Sequence, residues 1–570
     1  MEFNPTENPN AMLPPGTVHL VAEQSDRIIL VPKPSSDPDD PLNWSKKRKW
    51  LNVTLLLFYV FTTGIGGTSV YSVFTPISKD TGISIAQLNN GTGYLFLMAG
   101  WTNVIWQPLA LTFGRRPIIL LSLLFCVAIS EWTAWIDHYP SWAAARCLYG
   151  LACAPVEVLP QICIPDVFFA HERGAFIGWY MFVLCASNFI APLIAGFMND
   201  TYGWHWVQHW AALILALNFV LAFFLYEESM YARTSVEGEK VNQLPGRDDT
   251  PAIQQFDVTA GYYKKKTFLQ RMKLWSYNGN SFSQIVRIAY RPILIFFLFP
   301  NIMWAGFMYG FALAWYNVYN ATTSSILSAA PYDFSAAIVG LSYVAPLIGA
   351  IVAGIVSGPV ADWLTLRLAS RHRGLREPEQ RLWGLVIYCI LMPAGLLIWG
   401  LGAYHHAHWA VLLLGGLLCG YCNVSGGAYA LAYAVDCFKE ISGETIVSVI
   451  LCRNTLSFAF NYAITPWIDA QGLQKTFIAV AILSWAFVLV LVLVVQMGVV
   501  PVVGICLLLA PAGELIFVLV VRMLVIVVRE DVILPVEAWI LLLQSLDLRR
   551  LPVHHEFVLR LHGILLLVSG

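Results

Sequence analysis

Apolar and polar residues segregate into long blocks along this chain instead of alternating with the period of a strand or a surface helix. A polar, Pro-rich opening ends in DPDDPLNWSKKRKW, and six apolar stretches follow: Leu51 to Phe74, Asn90 to Leu111, Pro117 to Ile136, Trp142 to Phe168, Gly174 to Met198 and Trp206 to Tyr226. Glu227 to Tyr290 is polar and carries Lys264, Lys265, Lys266, Arg271 and Lys273. Six more apolar stretches come after it: Pro292 to Tyr316, Ser335 to Val360, Leu382 to Ala403, Trp409 to Ala432, Thr445 to Ile468 and Thr476 to Met497. At about 1.5 Å per residue each is long enough to cross a hydrocarbon core of about 30 Å. The pattern predicts an all-α membrane protein of twelve helices in two six-helix halves. Its parts are a tail at 1–49, a first half at 50–226, a linker at 227–291, a second half at 292–498 and a remainder at 499–570.

Composition agrees, since 58% of the 570 residues are hydrophobic and only 12% charged, about half the charged share of a soluble domain. The net charge of -1 and the absence of a basic domain give no reason to expect a nucleic-acid partner. The eleven cysteines lie in or beside apolar helices, as Cys126, Cys153, Cys185 and Cys389 do, and read as small core residues. Cys419 and Cys422 have zinc-like spacing but no second ligand pair, so no metal is expected. The opening lacks an apolar core, so the first membrane helix is expected to serve as the targeting signal.

Lys and Arg mark the cytoplasmic side. With the N-terminus inside, the inner loops hold Lys46 to Lys49, Arg115, Arg116, Arg173, the linker cluster, Arg367, Arg371, Arg373, Arg376, Arg381 and Lys439, against Lys79 and Lys475 outside. Both ends of the twelve-helix unit are therefore expected in the cytoplasm. After Met497 the chain changes: no Lys follows Lys475, and Val, Leu and Pro dominate. Val499 to Val528 could span, but it contains Glu514 and Arg522, and crossing there would put Arg529, Arg549 and Arg550 outside. This remainder is expected to lie outside the twelve-helix fold and to arise from an unspliced or frame-shifted reading.

The fourth stretch carries the chemistry. In WAAARCLYGLACAPVEVLPQICIPDVFFAHERG, from Trp142 to Gly174, Arg146, Glu157 and Asp166 sit in or beside apolar sequence, with Pro155, Pro160 and Pro165 among them. A charge at mid-bilayer costs from about 3 to about 17 kcal/mol depending on the reference, so each such residue needs a function or a partner. Each Pro removes a donor and can kink the helix. The halves also echo each other, Gln107-Pro-Leu-Ala-Leu111 against Gly358-Pro-Val-Ala-Asp362, as internally repeated transporters do.

Phe113-Gly-Arg-Arg-Pro117 resembles the loop motif of the major facilitator superfamily. The family's Gly and Asp before that loop are here Gln107 and Leu111, while Gly358 and Asp362 keep them in the second half. Arg146-x-x-Tyr149-Gly150 is similar to the buried Arg and following Gly of its fourth helix. Gly178, Ser187, Ala191, Pro192, Ala195 and Gly196 follow the helix-five spacing of its drug:proton antiporters, with some glycines relaxed to other small residues that still permit close helix approach. With DPDDPLNWS, DVFFAHERG, EPEQRLW and RNTLSFAFNYAITPW, residues from Asp37 to about Met497 resemble the fungal drug:proton antiporter branch. The resemblance implies a proton-coupled carrier with rocking halves and a central site. Members commonly export xenobiotics or secondary metabolites, and some move polyamines or other cations.

Arg115 and Arg116 with Asp166 are expected to form a cytoplasmic gate that breaks as the halves rock, with positive-inside anchoring as the simpler reading. Asp362 with Arg367, and Asp436, are placed to repeat it. Glu157 is the proton-site candidate because burial raises a carboxyl's affinity for its proton; the alternative is a structural glutamate bonded between helices. It lies eleven residues from Arg146, about 1100° of rotation and so within about 20° of the same face. Glu131 and Arg146 flank the turn near His138 and Tyr139 at similar depths, roughly 10 to 12 Å below the outer surface, so Glu131 is expected to be the counter-ion of Arg146. Failing that pairing, Glu131 faces lipid and Arg146 binds substrate alone. Arg453 and Asn454 form a second buried polar site, and Trp304, Tyr309, Trp315 and Tyr316 could line a cavity for large amphipathic ligands. Trp204, Trp206 and Trp210 read as an interface belt.

No nucleophile triad, phosphate loop or metal cluster is present, so an enzyme is not expected. The expectation is a monomeric, plasma-membrane efflux protein for small organic compounds, of the multidrug-resistance kind, powered by protons without a cofactor. Uptake of polyamines or organic cations is the alternative. A transporter-like sensor would need a larger cytosolic domain than the linker, and a channel would need a carboxylate ring or filter loop.

Overall fold

The computed structural model describes residues 39–231, 268–275, 281–371, 378–438 and 441–496, together with Val18, His19, Asp37, Tyr277, Leu375 and Arg376. All belong to the first of the two units into which the chain divides, Met1–Leu515. The expected remainder at 499–570 lies outside the described residues. Apart from one antiparallel pairing of Val18–His19 with Leu375–Arg376, the described architecture is helical.

The first half comprises α1 (Lys46–Thr68), the short α2 (Phe74–Thr81), α3 (Ile85–Trp101), α4 (Asn103–Phe113), α5 (Arg115–Thr133), α6 (Tyr139–Cys153), α7 (Pro155–Val167), α8 (Ala170–Tyr202) and α9 (Trp204–Leu225). The α6–α7 span is interrupted at Ala154, where Pro155 cannot supply the next amide donor. After α10 (Phe268–Arg271), the second half runs through α11 (Phe282–Leu298), α12 (Pro300–Leu327), α13 (Ala336–Ser342), α14 (Val344–Arg371), α15 (Leu385–Tyr404), α16 (Trp409–Cys437) and α17 (Ser442–Gln496).

Among the described residues nine helices are long and apolar enough to cross a membrane. One is Gly443–Ala486, of 44 residues, about twice what a hydrocarbon core needs. Gly472 breaks it with φ 78, a left-handed conformation that glycine adopts without a Cβ penalty. The expected stretches Thr445 to Ile468 and Thr476 to Met497 fall on either side of that break.

The expected Pro292 to Tyr316 span is corrected. Residues up to Leu298 belong to α11, which meets the following helix at 92°. Phe299 is extended (φ -115, ψ 96), as a residue before proline prefers, and Pro300 then starts α12, which continues to Leu327. Between the halves, α3 packs on α17 and α8 on α13 and α14.

Candidate functional site

Two withdrawn charges, Glu157 and Arg453, come together where the halves meet. Glu157, in the first turn of α7, forms an ion pair with Arg453 of α17 through Oε1. Asn454 Nδ2 donates to Glu157 Oε2 at 2.8 Å. Arg453 also donates to Tyr309 Oη at 3.0 Å and to Asn454 Oδ1 at 2.9 and 3.0 Å, with its guanidinium 4.8 Å from the Tyr309 ring centre. The Glu157 carbonyl accepts from Tyr180 Oη (3.0 Å) and Gln161 Nε2 (2.8 Å), which hold the turn in place. Side-chain exposure is 15% for Glu157 and 5% for Arg453, so the pair is largely withdrawn from water. Here two sequence candidates, the proton-site glutamate and the second polar site, prove to be one cluster.

Arg146 is buried elsewhere. Its Nη1 donates to the Gly67 carbonyl of α1 at 3.2 Å, and its guanidinium lies 4.6 Å from the Trp142 ring centre. Arg146 and Glu157 share a span, yet eleven residues separate them by about 16 Å along a helix axis, too far for contact. The expected Glu131–Arg146 pair is corrected. Glu131 accepts from Trp135 Nε1 (3.3 Å) and pairs with His209 Nδ1 (3.0 Å) of α9, with half its side chain exposed. Equal depth did not mean equal facing: Glu131 turns outward to α9, Arg146 inward to α1.

At the loop between α4 and α5 Arg115 Nη2 meets Asp166 Oδ2 at 3.2 Å. Arg116 does not join them. Its Nη2 donates to the Phe223 carbonyl at 2.6 Å, and its Nη1 to the carbonyls of Met272 and Lys273, tying α5 to the end of α9 and to the linker. In the second half Asp436 pairs with Arg381 at 2.9 Å, Arg367 stacks 5.0 Å from the Trp363 ring, and the Asp362 side chain lies outside the described residues. Arg381 precedes the ninth stretch as Arg115 precedes the third, which was the available signal for it. Each bridge joins elements of a single half, so each braces that half and need not break when the halves move.

Glu228, which nothing in the sequence marks, caps α5: its two carboxylate oxygens accept the backbone N–H of Arg115 and Arg116, each at 3.0 Å. This satisfies two orphan donors at the positive end of a helix.

The helix-five residues divide. A Cβ on Gly178 would meet nothing within 4 Å, whereas one on Gly196 would strike the Ala336 carbonyl of α13. Ser187 lies where a Cβ on Gly64 of α1 would be, and Ala191 is buried. The Pro192 carbonyl accepts from Ser72 Oγ at 2.7 Å and faces Gly340. Thus α8 approaches α1 within its half and α13 across the interface. Trp304 packs edge-on to Tyr433 at 5.2 Å, and Trp315 lies within a Phe311 and Phe460 cluster, so these two rings serve packing in the second half.

The profile of the Major Facilitator Superfamily matches residues 56–460. An uncharacterized MFS-type transporter of Schizosaccharomyces pombe is 29% identical, covering 82% of this chain and 87% of its own length. Protein HOL1 of Saccharomyces cerevisiae is 26% identical over 81% of this chain and 88% of its own. The MFS antiporter QDR3 of Candida albicans is 22% identical over 80% of this chain and 78% of its own. With apolar helices to span a membrane many times and that match along most of its length, the chain belongs to the Major Facilitator Superfamily, in its fungal drug-type branch, and is a multi-pass membrane transporter, not an enzyme.

Proposed function

We propose that this transporter is a proton-coupled exporter of small organic compounds such as drugs, toxins or secondary metabolites, working as a monomer in the plasma membrane. The reading takes twelve crossings with a cytoplasmic N-terminus. In support, the 44-residue helix is long enough for two spans around Gly472, and the interrupted α3–α4 pair and the α11–α12 pair, bent between its two helices, supply one each. The Lys and Arg asymmetry of the loops supports the orientation, and the antiporter among the relatives supports exchange.

The observation that carries the coupling is the Glu157–Arg453 pair, whose members belong to opposite halves. Rocking that parts the halves takes the guanidinium and the Asn454 amide away from the carboxylate. A carboxylate left in an apolar interior without its cation favours the protonated form, and return of the cation expels the proton. Glu157 thereby binds a proton in one conformation and releases it in the other, and movement of the halves carries substrate the opposite way. Glu131, exposed and held by His209, leaves the coupling set. Arg115–Asp166 and Arg381–Asp436 keep each half rigid during the motion.

The test is transport into sealed vesicles with an imposed pH gradient and a panel of compounds. The parent protein should accumulate at least one compound when the gradient is present. Glu157→Gln keeps the shape and removes the titration, so it should abolish gradient-driven accumulation while leaving binding within a few-fold. Normal accumulation by that variant refutes the assignment.

A further inference from the structure

Buried polar atoms almost always have partners, so a concentration of orphans requires an explanation. Arg146 is 2% exposed, and its Nε and Nη2 have none. Its electrostatic neighbours are Tyr71, Tyr149 and Cys153, and no carboxylate among the described residues pairs with it. Across the interface, α12 presents further orphans in Tyr316 Oη, Asn317 Nδ2 and Asn320 Oδ1, and the Tyr343 hydroxyl beside α13 is another. Tyr316 and Asn320 are neighbours on one face of α12, one turn apart, yet neither completes a hydrogen bond of good geometry.

Ring contacts lead from Arg146 through Trp142 and Phe74 to Tyr71, at 4.6, 6.5 and 5.9 Å, and from Tyr316 through Tyr319 to Tyr343, at 5.9 and 6.3 Å, while Ser72, next to Tyr71, donates to the Pro192 carbonyl one turn from Phe189. The Tyr316 ring stands edge-on to Phe189 of α8 at 5.4 Å. Outward, the zone is closed where Thr75 Oγ1 meets Ser324 Oγ at 2.9 Å and Asn89 Nδ2 donates to Thr465 Oγ1 at 3.1 Å. Inward, Tyr309 holds Arg453 on the same face of α12. Arg453 and Glu157 cancel each other, so Arg146 leaves the zone with one uncompensated positive charge beside aromatic edges and unused hydroxyls.

We infer that Arg146, Tyr71, Tyr316, Asn320 and Tyr343 form the subsite for the anionic head of an aromatic organic acid, which fills the interface when the halves part. The acid supplies what the closed arrangement lacks: acceptor oxygens for the guanidinium and hydroxyls, negative charge for Arg146, and a ring for the tyrosine and phenylalanine edges. A cationic substrate meets the opposite field. This rests on the transporter reading above and adds the substrate class to it.

The test uses the full chain in lipid nanodiscs and isothermal titration at neutral pH with three probes sharing one ring system: naphthoate, naphthol and naphthylmethylammonium. Naphthoate should bind about tenfold or more tightly than the ammonium, the scale of one hydrogen bond to a charged group. Arg146→Gln should remove that preference. In case Arg146→Gln does not fold, Tyr316→Phe keeps the ring and should weaken naphthoate several-fold while leaving naphthol nearly unchanged. No binding of naphthoate, equal or tighter binding of the ammonium, or an unaltered naphthoate affinity in Tyr316→Phe overturns the subsite. Because these readings need no gradient, the two proposals fail separately. Selective naphthoate binding without gradient-driven transport refutes proton coupling alone, and gradient-driven transport of cations with no naphthoate binding refutes the subsite alone.

Discussion

Replacing Arg453 by Met should open the end of the transporter where Thr75 and Ser324 meet. Arg453 is almost fully buried, and its removal leaves Glu157 with the Asn454 amide as its remaining side-chain donor in that cluster. Deleting one member of a buried pair typically costs about 3 to 5 kcal/mol, because the surviving charge stays desolvated. At about 1.4 kcal/mol per tenfold, a penalty falling only on the arrangement that brings the halves together suffices to invert a conformational equilibrium. The readout is Thr75→Cys combined with Ser324→Cys, two thiols placed where two hydroxyls now lie 2.9 Å apart across the halves. Oxidative cross-linking should be efficient in the parent, weak with Arg453→Met or Glu157→Gln, and substantially restored when both substitutions are combined, since the double variant buries no lone charge. Thermal unfolding of the same set yields the coupling energy as a double-mutant cycle. Unchanged cross-linking with Arg453→Met, or strictly additive effects, would show that the pair does not distinguish the conformations, and the coupling scheme would fall with it.

Two further outcomes follow from packing and from the chain's composition. Gly196→Ala pushes a methyl into the Ala336 backbone, which cannot yield as a side chain would, and should cost about 1 to 3 kcal/mol, whereas Gly178→Ala meets open space and should be neutral or slightly stabilising; equal unfolding temperatures for the two would refute the close α8–α13 approach. Truncation after Gly498 should leave transport intact, and vesicles that lose transport on truncation would show that the remainder belongs to the working protein.

Hydropathy exposed most of the spans because lipid demands long apolar helices and water demands polar loops, a requirement written into every residue of a block. It failed at Pro292, where apolar character continues through a 92° bend that only the Phe299–Pro300 junction betrays. The Arg115–Asp166 contact was legible in the sequence, but the pairs joining more distant segments were not. Glu157 and Arg453 are 296 positions apart, and no local period connects them. Arg146 and Glu131 were matched by depth alone, while the rotation of α5 and α6 about their own axes decides what each side chain meets. Glu228 was invisible for a related reason: a carboxylate closing one helix caps another, a relation without a local signature.

The placement of the ion pairs adds a step that the charges alone do not. Arg115–Asp166 and Arg381–Asp436 lie in corresponding places of the two halves, each joining the start of one span to the end of the next. Neither spans the interface, whereas Glu157–Arg453 does, as do the hydroxyl and amide contacts of Thr75, Asn89 and Gln107. Bonds within a half do not change in a rigid-body motion, so they cannot oppose it; only bonds between halves set the free-energy difference between conformations. Among the described residues Glu157–Arg453 is the ion pair of that kind, and ionic contacts across a buried surface are the ones a proton can switch. A transporter built this way needs no titrating group in the loops that carry these two bridges. Asp166→Asn should therefore lower thermal stability while leaving the pH dependence of transport where it was, and a shifted pH profile in that variant would move the coupling site to the loop.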